Sequence, residues 1–380
     1  MDKVYLQYEL NISSYLYWNK LKIRMPIKSP LPTKEGSCTK IVFLVWAPYS
    51  SRAENLSERL NAHLYLISYK FKNKIYSPLK YSLLFARTIH ILRKEKPKII
   101  ICQNPPIFCA LSAIIYNYLF DADSIVVIDA HTGAFDRPWS YLKSLTKSIM
   151  KRASTIIVTN TKLQDFVLQN FKLKAIVLDD KIPEFNKLSY NIIERESGQV
   201  GDKGFKVAVI SSFAYDEPMN EILDAAAELP TVRFYITGDA SKAHKKFLKN
   251  KMSDNVVFTG FLNRDNYVSL LQQVDAVMVL TKRDNTMLSG TYEALALQKP
   301  LITSNWTPLK KYFYKGTIHV DNSPKEIEAA VKKIQYKTST LAKEMYQLKL
   351  ERTREWEEKF TNFKHLLENS SNKMPSSDNK

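Results

Sequence analysis

The chain has 380 residues, 45% of them hydrophobic and 25% charged. That composition excludes wholesale disorder, a collagen-like repeat or a disulfide scaffold, and at roughly 150 residues per domain the length predicts two domains with an appendage. The 56 Lys and Arg against 38 Asp and Glu give a net charge of +18, a field that attracts phosphate as nucleic acid, anionic lipid or nucleotide.

Cys38, Cys102 and Cys109 are the only cysteines, and the last two lie in or beside apolar runs, as reduced buried thiols do. No charged-then-apolar signal segment opens the chain, and its longest apolar stretch, Ile107 to Phe120, is shorter than the ~20 residues a spanning helix needs. A cytoplasmic protein without a transmembrane anchor is expected.

Residues 1–39, with Pro26, Pro30 and Pro32, form a basic N-terminal extension without a clean period. From Ile41 short β-branched runs alternate with amphipathic runs, predicting strands at 41–45, 64–68, 99–102, 125–128, 156–159 and 175–178, with helices near 53–61, 80–94, 107–119, 141–151 and 162–170. Between Lys70 and Lys98 nine bases face one acid, Glu95, interleaved with Phe71, Tyr76, Tyr81 and Phe85. That pattern suits an interfacial segment and equally a solvated helix with aromatic anchors. The polar, glycine-rich stretch at 196–204 reads as a linker after a first domain at 40–195.

The alternation then restarts over 205–337, with strands at 207–211, 232–237, 256–258, 276–280, 301–303 and 318–320 and helices near 219–228, 241–249, 264–272, 289–297 and 324–334. Trp356, Phe360, Phe363 and Leu367 recur at helical spacing, so 338–368 is expected to be a long amphipathic helix that needs a partner surface. A disordered polar tail is expected at 369–380. The fold class is α/β: two Rossmann-like, doubly wound parallel-sheet domains facing a cleft, with ligands at the carboxyl ends of the strands.

Two strand ends carry chemistry. Asp129 and His131 emerge where the strand at 125–128 ends, and a histidine there can donate, accept or shuttle a proton, or serve as a turn residue bonded to backbone. After the strand ending at Leu280, the loop Thr281-Lys282-Arg283-Asp284-Asn285-Thr286-Met287-Leu288 runs into a helix starting near Ser289 and Gly290. Unpaired N–H groups and the helix dipole favour a phosphate there. Lys282 and Arg283 add positive charge, the hydroxyls of Thr286 and Ser289 allow close approach, and Glu293, one turn in, suits neutral hydroxyls such as those of a ribose.

The tandem domains, His131 and above all Tyr292-Glu293-Ala294-Leu295-Ala296-Leu297-Gln298-Lys299-Pro300 resemble the family-4-like GT-B glycosyltransferases, over about residues 40–367. The resemblance extends to enzymes that build lipid-linked glycans, through Gln103-Asn104-Pro105-Pro106. It implies that Glu293 binds the donor ribose and that Asn285, where the family has an acid, hydrogen-bonds the donor sugar. It places Ser212, Gly238, Gly260 and Phe261 on donor-side turns, although the loop around Ser212 lacks the family's base. Ser51, Arg52 and Asn104 fall on the acceptor side, where Arg52 contacts an acceptor phosphate or caps the helix beginning at Ala53. Asp121-Ala122-Asp123 has metal-binding spacing at the wrong end of its strand and reads as a surface turn.

The resemblance therefore implies a metal-independent transferase without a cofactor, taking a UDP- or GDP-linked sugar to an acceptor hydroxyl on a lipid-linked or membrane-associated glycan, with retention favoured. His131, beside Asp129, holds the sugar under retention and is the general base under inversion. The partners expected are a nucleotide sugar, a glycan acceptor and an anionic membrane surface on which the protein docks peripherally. A basic nucleic-acid-binding or DNA-base-glycosylating protein and an inactive GT-B scaffold are the alternatives.

Overall fold

A computed structural model describes residues 39–69, 71, 73–120, 122–186, 204–239, 241 and 253–372. Outside them fall the N-terminal extension up to Cys38, the linker at 196–204 apart from Gly204, the helix expected at 241–249 apart from Ser241, and the tail beyond Asn372.

The first sheet contains β1 (Ile41–Val45), β2 (His63–Leu66), β3 (Ile99–Asn104), β4 (Ile125–Ala130), β5 (Thr155–Val158) and β6 (Ile176–Val177), in the order β2-β1-β3-β4-β5-β6. Between the strands run α1 (Ser51–Leu60), α2 (Ser77–Glu95), α3 (Ile107–Phe120), α4 (Lys143–Arg152) and α5 (Thr161–Phe171). Strands covered on both faces need continuous apolar runs, and every residue of β4 is buried. That corrects the reading of Asp129: it does not emerge from the sheet but lies within β4, fully buried. Helix starts follow side-chain caps: Ser50 Oγ accepts from Ala53 N–H at 3.2 Å and Asn160 Oδ1 from Leu163 N–H at 2.9 Å. Ser50 is therefore the cap of α1, not Arg52, and the helix starts two residues earlier than the apolar pattern suggested.

The second sheet contains β7 (Phe205–Val209), β8 (Val232–Thr237), β9 (Val256–Gly260), β10 (Ala276–Val279), β11 (Leu301–Ser304) and β12 (Thr317–Val320), in the order β12-β11-β10-β7-β8-β9. Its helices are α6 (Met219–Ala227), α7 (Arg264–Gln273), α8 (Ser289–Ala296), α9 (Thr307–Tyr312) and α10 (Pro324–Asn372). Alternate residues of β7 enter opposite cores: Val207 and Val209 pack with α6 and the start of α10, while Ala208 packs with α7, α8 and α9. The strand order reverses between β7 and β10, the switch point at which open sheets of this kind take ligands.

Two departures from the expected elements are informative. The helices expected at 324–334 and 338–368 are one uninterrupted helix of 49 residues, α10, which also takes in the first residues of the expected tail. Gly316, at φ +65°, lets that helix lie directly against the chain, because a Cβ there would come within 2.2 Å of Met345 Cγ. Further along α10, Trp356 Nε1 donates to the Asp179 carbonyl at 2.9 Å and Lys359 pairs with the Asp179 carboxylate, just beyond β6. The short helix α9 has too few residues to show a period and was absent from the sequence pattern.

Contacts divide the chain into units at Met1–Ser124 and Ile125–Lys380, whereas the sequence composition pointed to 196–204. Bonds such as those at Asp179 join the segments around β4, β5 and β6 to the second sheet's elements within one unit.

Candidate active site

The loop after β10 is anchored before it is shaped. Thr281 N–H donates to Ser304 Oγ (2.8 Å), and the Thr281 carbonyl accepts from Trp306 Nε1 (2.8 Å) and Asn322 Nδ2 (3.0 Å). Two of these bonds are buried and the Trp306 bond is partly buried, and a satisfied network of this kind is rigid. Four residues on, the Asn285 carbonyl accepts from Thr132 Oγ1 at 2.9 Å and from Asn160 Nδ2 at 3.3 Å. The segments following β4 and β5 thus hold this loop.

Within it, Asn285 Oδ1 and Thr286 Oγ1 are buried and have no hydrogen-bond partner in the protein. Such atoms are rare because each carries a desolvation cost. Directly after them comes α8, whose N-cap, Leu288, offers no capping side chain; the Thr291 N–H turns back to the Leu288 carbonyl at 3.0 Å, and no side chain caps the N–H groups before it. Gly290 lies tight against the sheet: a Cβ would meet Ile210 Cδ1 at 2.9 Å. Met287 and Leu288 pack on the core, while Ser289 is exposed.

One turn into α8, Glu293 accepts a hydrogen bond from the Tyr267 hydroxyl on α7. Burial pushes its carboxyl above the ordinary carboxylate value and the Tyr267 bond pulls it partly back. Burial and the neighbouring Glu293 charge likewise raise Tyr267.

Beside the loop, His131 Nε2 lies 3.1 Å from Oδ2 of the buried Asp129, an arrangement that fixes the ring. The two bases expected to face phosphate are both engaged by carboxylates. Lys282 Nζ bonds Glu221 at 2.8 Å, and Arg283 bonds the Tyr215 hydroxyl and lies 3.5 Å from Asp136 and 3.8 Å from Asp216. Lys162 pairs with Asp284 at 2.5 Å.

Across the switch point, the loop after β7 satisfies itself. Glu217 accepts from Ser211 Oγ (2.5 Å), Ser212 Oγ (2.7 Å) and Ser212 N–H (2.9 Å). Gly238, at φ +109°, closes on this loop so tightly that a Cβ would lie 2.3 Å from the Ser211 carbonyl oxygen. Gly260 takes φ +69° and the Phe261 ring is 86% exposed.

The second unit therefore brings Asp129, His131, Lys282, Arg283, Asn285 and Thr286 into one set of connected segments, with Glu293 on the helix that follows. Ser51, Arg52 and Asn104 belong to the other unit. Ser51 is the exposed first residue of α1, and Arg52 and Asn104 are buried, Asn104 with neither amide atom partnered. Among the described residues no group of three His, Cys, Asp or Glu is placed to hold a metal ion. Asp121 lies outside them and Asp123 is exposed.

Sequence reasoning missed Thr132, Asn160, Tyr267 and Asp136. Asn160 carries a visible signal, a strand-end Thr-Asn pair before a helix. Tyr267 carries none, because its meeting with Glu293 depends on how α7 and α8 pack.

Residues 191–347 match the model of the family described as Glycosyl transferases group 1. They are a glycosyltransferase domain. The two-sheet architecture is the GT-B fold, similar to sucrose-phosphate synthase from Thermosynechococcus elongatus (12% identity, TM-score 0.66, 87% of this chain and 98% of that one). It is also similar to Anabaena HepE in complex with UDP-glucose (15%, TM-score 0.65, 88% and 100%). In sequence, the chain is 20% identical over 210 residues to an uncharacterized glycosyltransferase of Methanocaldococcus jannaschii, covering 51% of this chain. It spans about half of that relative's length, 52%. The transferase domain contains both loops of the switch point, Glu293 and the first half of α10.

Proposed function

We propose that the protein transfers a sugar from a nucleoside-diphosphate donor to an acceptor hydroxyl, with the donor held at the β7–β10 switch point. The observation that carries the reading is the pair of orphaned buried atoms, Asn285 Oδ1 and Thr286 Oγ1, at the uncapped start of α8. A hydroxyl-rich ligand satisfies both, the helix N-terminus accepts negative charge, and Glu293 accepts from ribose hydroxyls. HepE was crystallised with UDP-glucose, which makes a UDP sugar the first donor to try. His131, fixed by Asp129, supports the donor sugar if configuration is retained and takes the acceptor proton if it is inverted; the departing diphosphate assists that proton's removal in the retaining case. No step is assigned to a metal or cofactor.

The acceptor in this reading is a lipid-linked or membrane-associated glycan, and the basic segment from Lys70 to Lys98 docks the protein peripherally on an anionic membrane. Among the described residues no helix is long and apolar enough to cross one.

One observation favours a second reading, a GT-B scaffold without transfer activity. Arg283 and Lys282 are already engaged by carboxylates, and Glu217 occupies the donors of the Ser212 loop. Thermal-shift measurements with UDP, GDP, ADP and their sugars separate the two, since a ligand that binds only the folded state raises the midpoint. Stabilisation by one nucleotide series supports the transferase and names the base; none by any supports the scaffold.

A further inference from the structure

Glu293 lies partly buried one turn into α8, and the group that holds it, the Tyr267 hydroxyl, comes from α7. The hydroxyl donates to Oε2, and among the described residues nothing donates to Oε1. The two oxygens of a carboxylate offer about four lone-pair sites, so a ligand still finds most of the accepting capacity free. Other carboxylates near the switch point have different partners: Asp216, Glu221 and Asp284 lie against Arg283, Lys282 and Lys162. Glu293 is paired instead with a neutral hydroxyl, which orients the group and leaves its charge in place.

The tyrosine is itself fixed. Its ring packs on a core that includes Leu270 and Leu271 of α7 with Tyr292, Ala294 and Leu295 of α8. The Asn263 side chain caps α7 by accepting from Asn266 N–H at 2.9 Å, and the Tyr267 N–H closes the first turn on the Asn263 carbonyl at 2.9 Å. At the other end, Lys299 Nζ donates to the carbonyls of Gln272 and Val274, each at 2.7 Å, while its backbone N–H bonds the Ala294 carbonyl at 2.9 Å. Lys299 thus ties the last turn of α7 to the end of α8. Helices joined in this way and packed through one core hold the hydroxyl against the carboxylate, whereas a glutamate on an open helix face keeps its rotamer freedom.

We infer that Tyr267 is a positioning residue for the donor: it presets the Glu293 carboxylate to take the two vicinal hydroxyls of a ribose, and so makes the site prefer a ribonucleotide over the same nucleotide lacking those hydroxyls. The inference deepens the donor reading above and rests on it. Adjacent hydroxyls on a ring present two donors at a fixed spacing, and a carboxylate meets them with both oxygens only when its plane is turned toward them. Preorganisation of this kind spares the ligand the cost of ordering a flexible side chain. The hydroxyl also guards the accepting state. Burial drives Glu293 toward the neutral acid, and the Tyr267 bond opposes that drift. A lysine or arginine in place of Tyr267 would hold the carboxylate but neutralise it, and a phenylalanine would pack without orienting it.

Calorimetric titration of the full chain with UDP and with 2′,3′-dideoxy-UDP tests this, with thermal midpoints to check that each variant is folded. The wild type is expected to bind UDP at least about tenfold more tightly than the dideoxy nucleotide, the scale of one hydrogen bond to a charged group. Tyr267→Phe keeps the ring and is expected to lower UDP affinity by about three- to tenfold, the cost of ordering one flexible side chain, with 2′,3′-dideoxy-UDP unchanged. Glu293→Gln/Tyr267→Phe, in which no carboxylate is left without its donor, is expected to bind both nucleotides as Glu293→Gln alone does. If the wild type binds UDP no better than the dideoxy nucleotide, or binds neither, the ribose contact at Glu293 falls and the inference falls with it. If the wild type discriminates and Tyr267→Phe discriminates equally, including by losing both nucleotides in the same proportion, the ribose contact stands but Tyr267 only packs, which overturns the inference. A further loss of the preference for UDP when Tyr267→Phe is added to Glu293→Gln would mean that the hydroxyl does not act through Glu293, and would overturn it as well.

Discussion

The two loops of the switch point begin from adjacent, hydrogen-bonded strands and end in opposite states. In the loop after β7, every donor of Ser211 and Ser212 named above is taken by Glu217, and Gly238 seals it from the side. In the loop after β10, the backbone is pinned at Thr281 and Asn285 while two buried side-chain oxygens are left without partners. Rigid backbone with unsatisfied side chains is what a preorganised ligand site requires, because the ligand then finds its donors and acceptors already in place. A loop that satisfies itself must first be broken open. On the proposed reading, the difference puts ligand contact on the β10 side and makes the β7 side a barrier.

The largest effect expected from this arrangement is at His131. Its ring is held by buried Asp129, and its neighbour Thr132 grips the Asn285 carbonyl. His131→Ala should reduce turnover by about 10²- to 10⁴-fold, the range for a positioned acid–base group, while UDP or GDP affinity stays within a factor of about two. Normal turnover in steady-state assays would make the histidine structural and detach the β4 end from the site.

Glu293→Ala comes next. Loss of a charged partner for the ribose hydroxyls should weaken nucleotide binding by ~1.5–3 kcal/mol, read by calorimetry on a variant whose fold is checked first. Unchanged affinity would leave the β10 loop's orphaned atoms without their nearest anchor and break the comparison on its favourable side.

Glu217→Gln probes the other side. If the carboxylate opposes a diphosphate at the β7 loop, removing its charge should tighten UDP by ~1 kcal/mol, the scale of one charge pair fully screened by water at ~4 Å. Neutral UDP affinity would mean that the diphosphate never approaches Ser212, and that the loop is merely closed.

The fold was legible because buried parallel strands announce themselves. Runs such as Ile41–Val45 and Val232–Thr237 have no other stable environment, and the glycine-rich break between the two series showed that there were two sheets. The position of the switch point followed from that. Asn285, Glu293 and His131 were readable as strand-end or helix-start residues. Asp129 was misplaced by one physical detail: a strand can extend two residues beyond its apolar run when a histidine outside it takes up the buried carboxylate. Tyr267 and the Glu217 seal were not legible, because both depend on contacts between segments distant in sequence or on rotamers that no period encodes. The apolar pattern divides the long α10 into two helices because an exposed stretch around Tyr336, in its first third, interrupts the stripe although nothing there interrupts the backbone.

The smallest expected effect is a pH dependence at Glu293. Burial raises its carboxyl above the ordinary value, against the partial opposition of Tyr267. The folded state therefore holds this proton to a higher pH than the unfolded chain, whose glutamate releases it near ~4.3. Across the window from that value up through the raised one, the folded state binds more protons, so stability is fully present below the window and declines as pH rises through it. Glu293→Gln removes this contribution, and its thermal midpoint should lose less than the wild type's as pH rises above the ordinary glutamate value. Ribose hydroxyls donate to the ionised form, so nucleotide binding should draw the group back down, release a proton, and strengthen as pH rises through the same window. A midpoint that falls with pH in the wild type and not in the glutamine variant, together with calorimetric proton release on UDP binding, would place the ribose at Glu293. If both proteins trace parallel midpoint curves and binding releases no proton, Glu293 serves Tyr267 and the packing of α7 on α8, and the ribose contact must lie elsewhere on the β10 side.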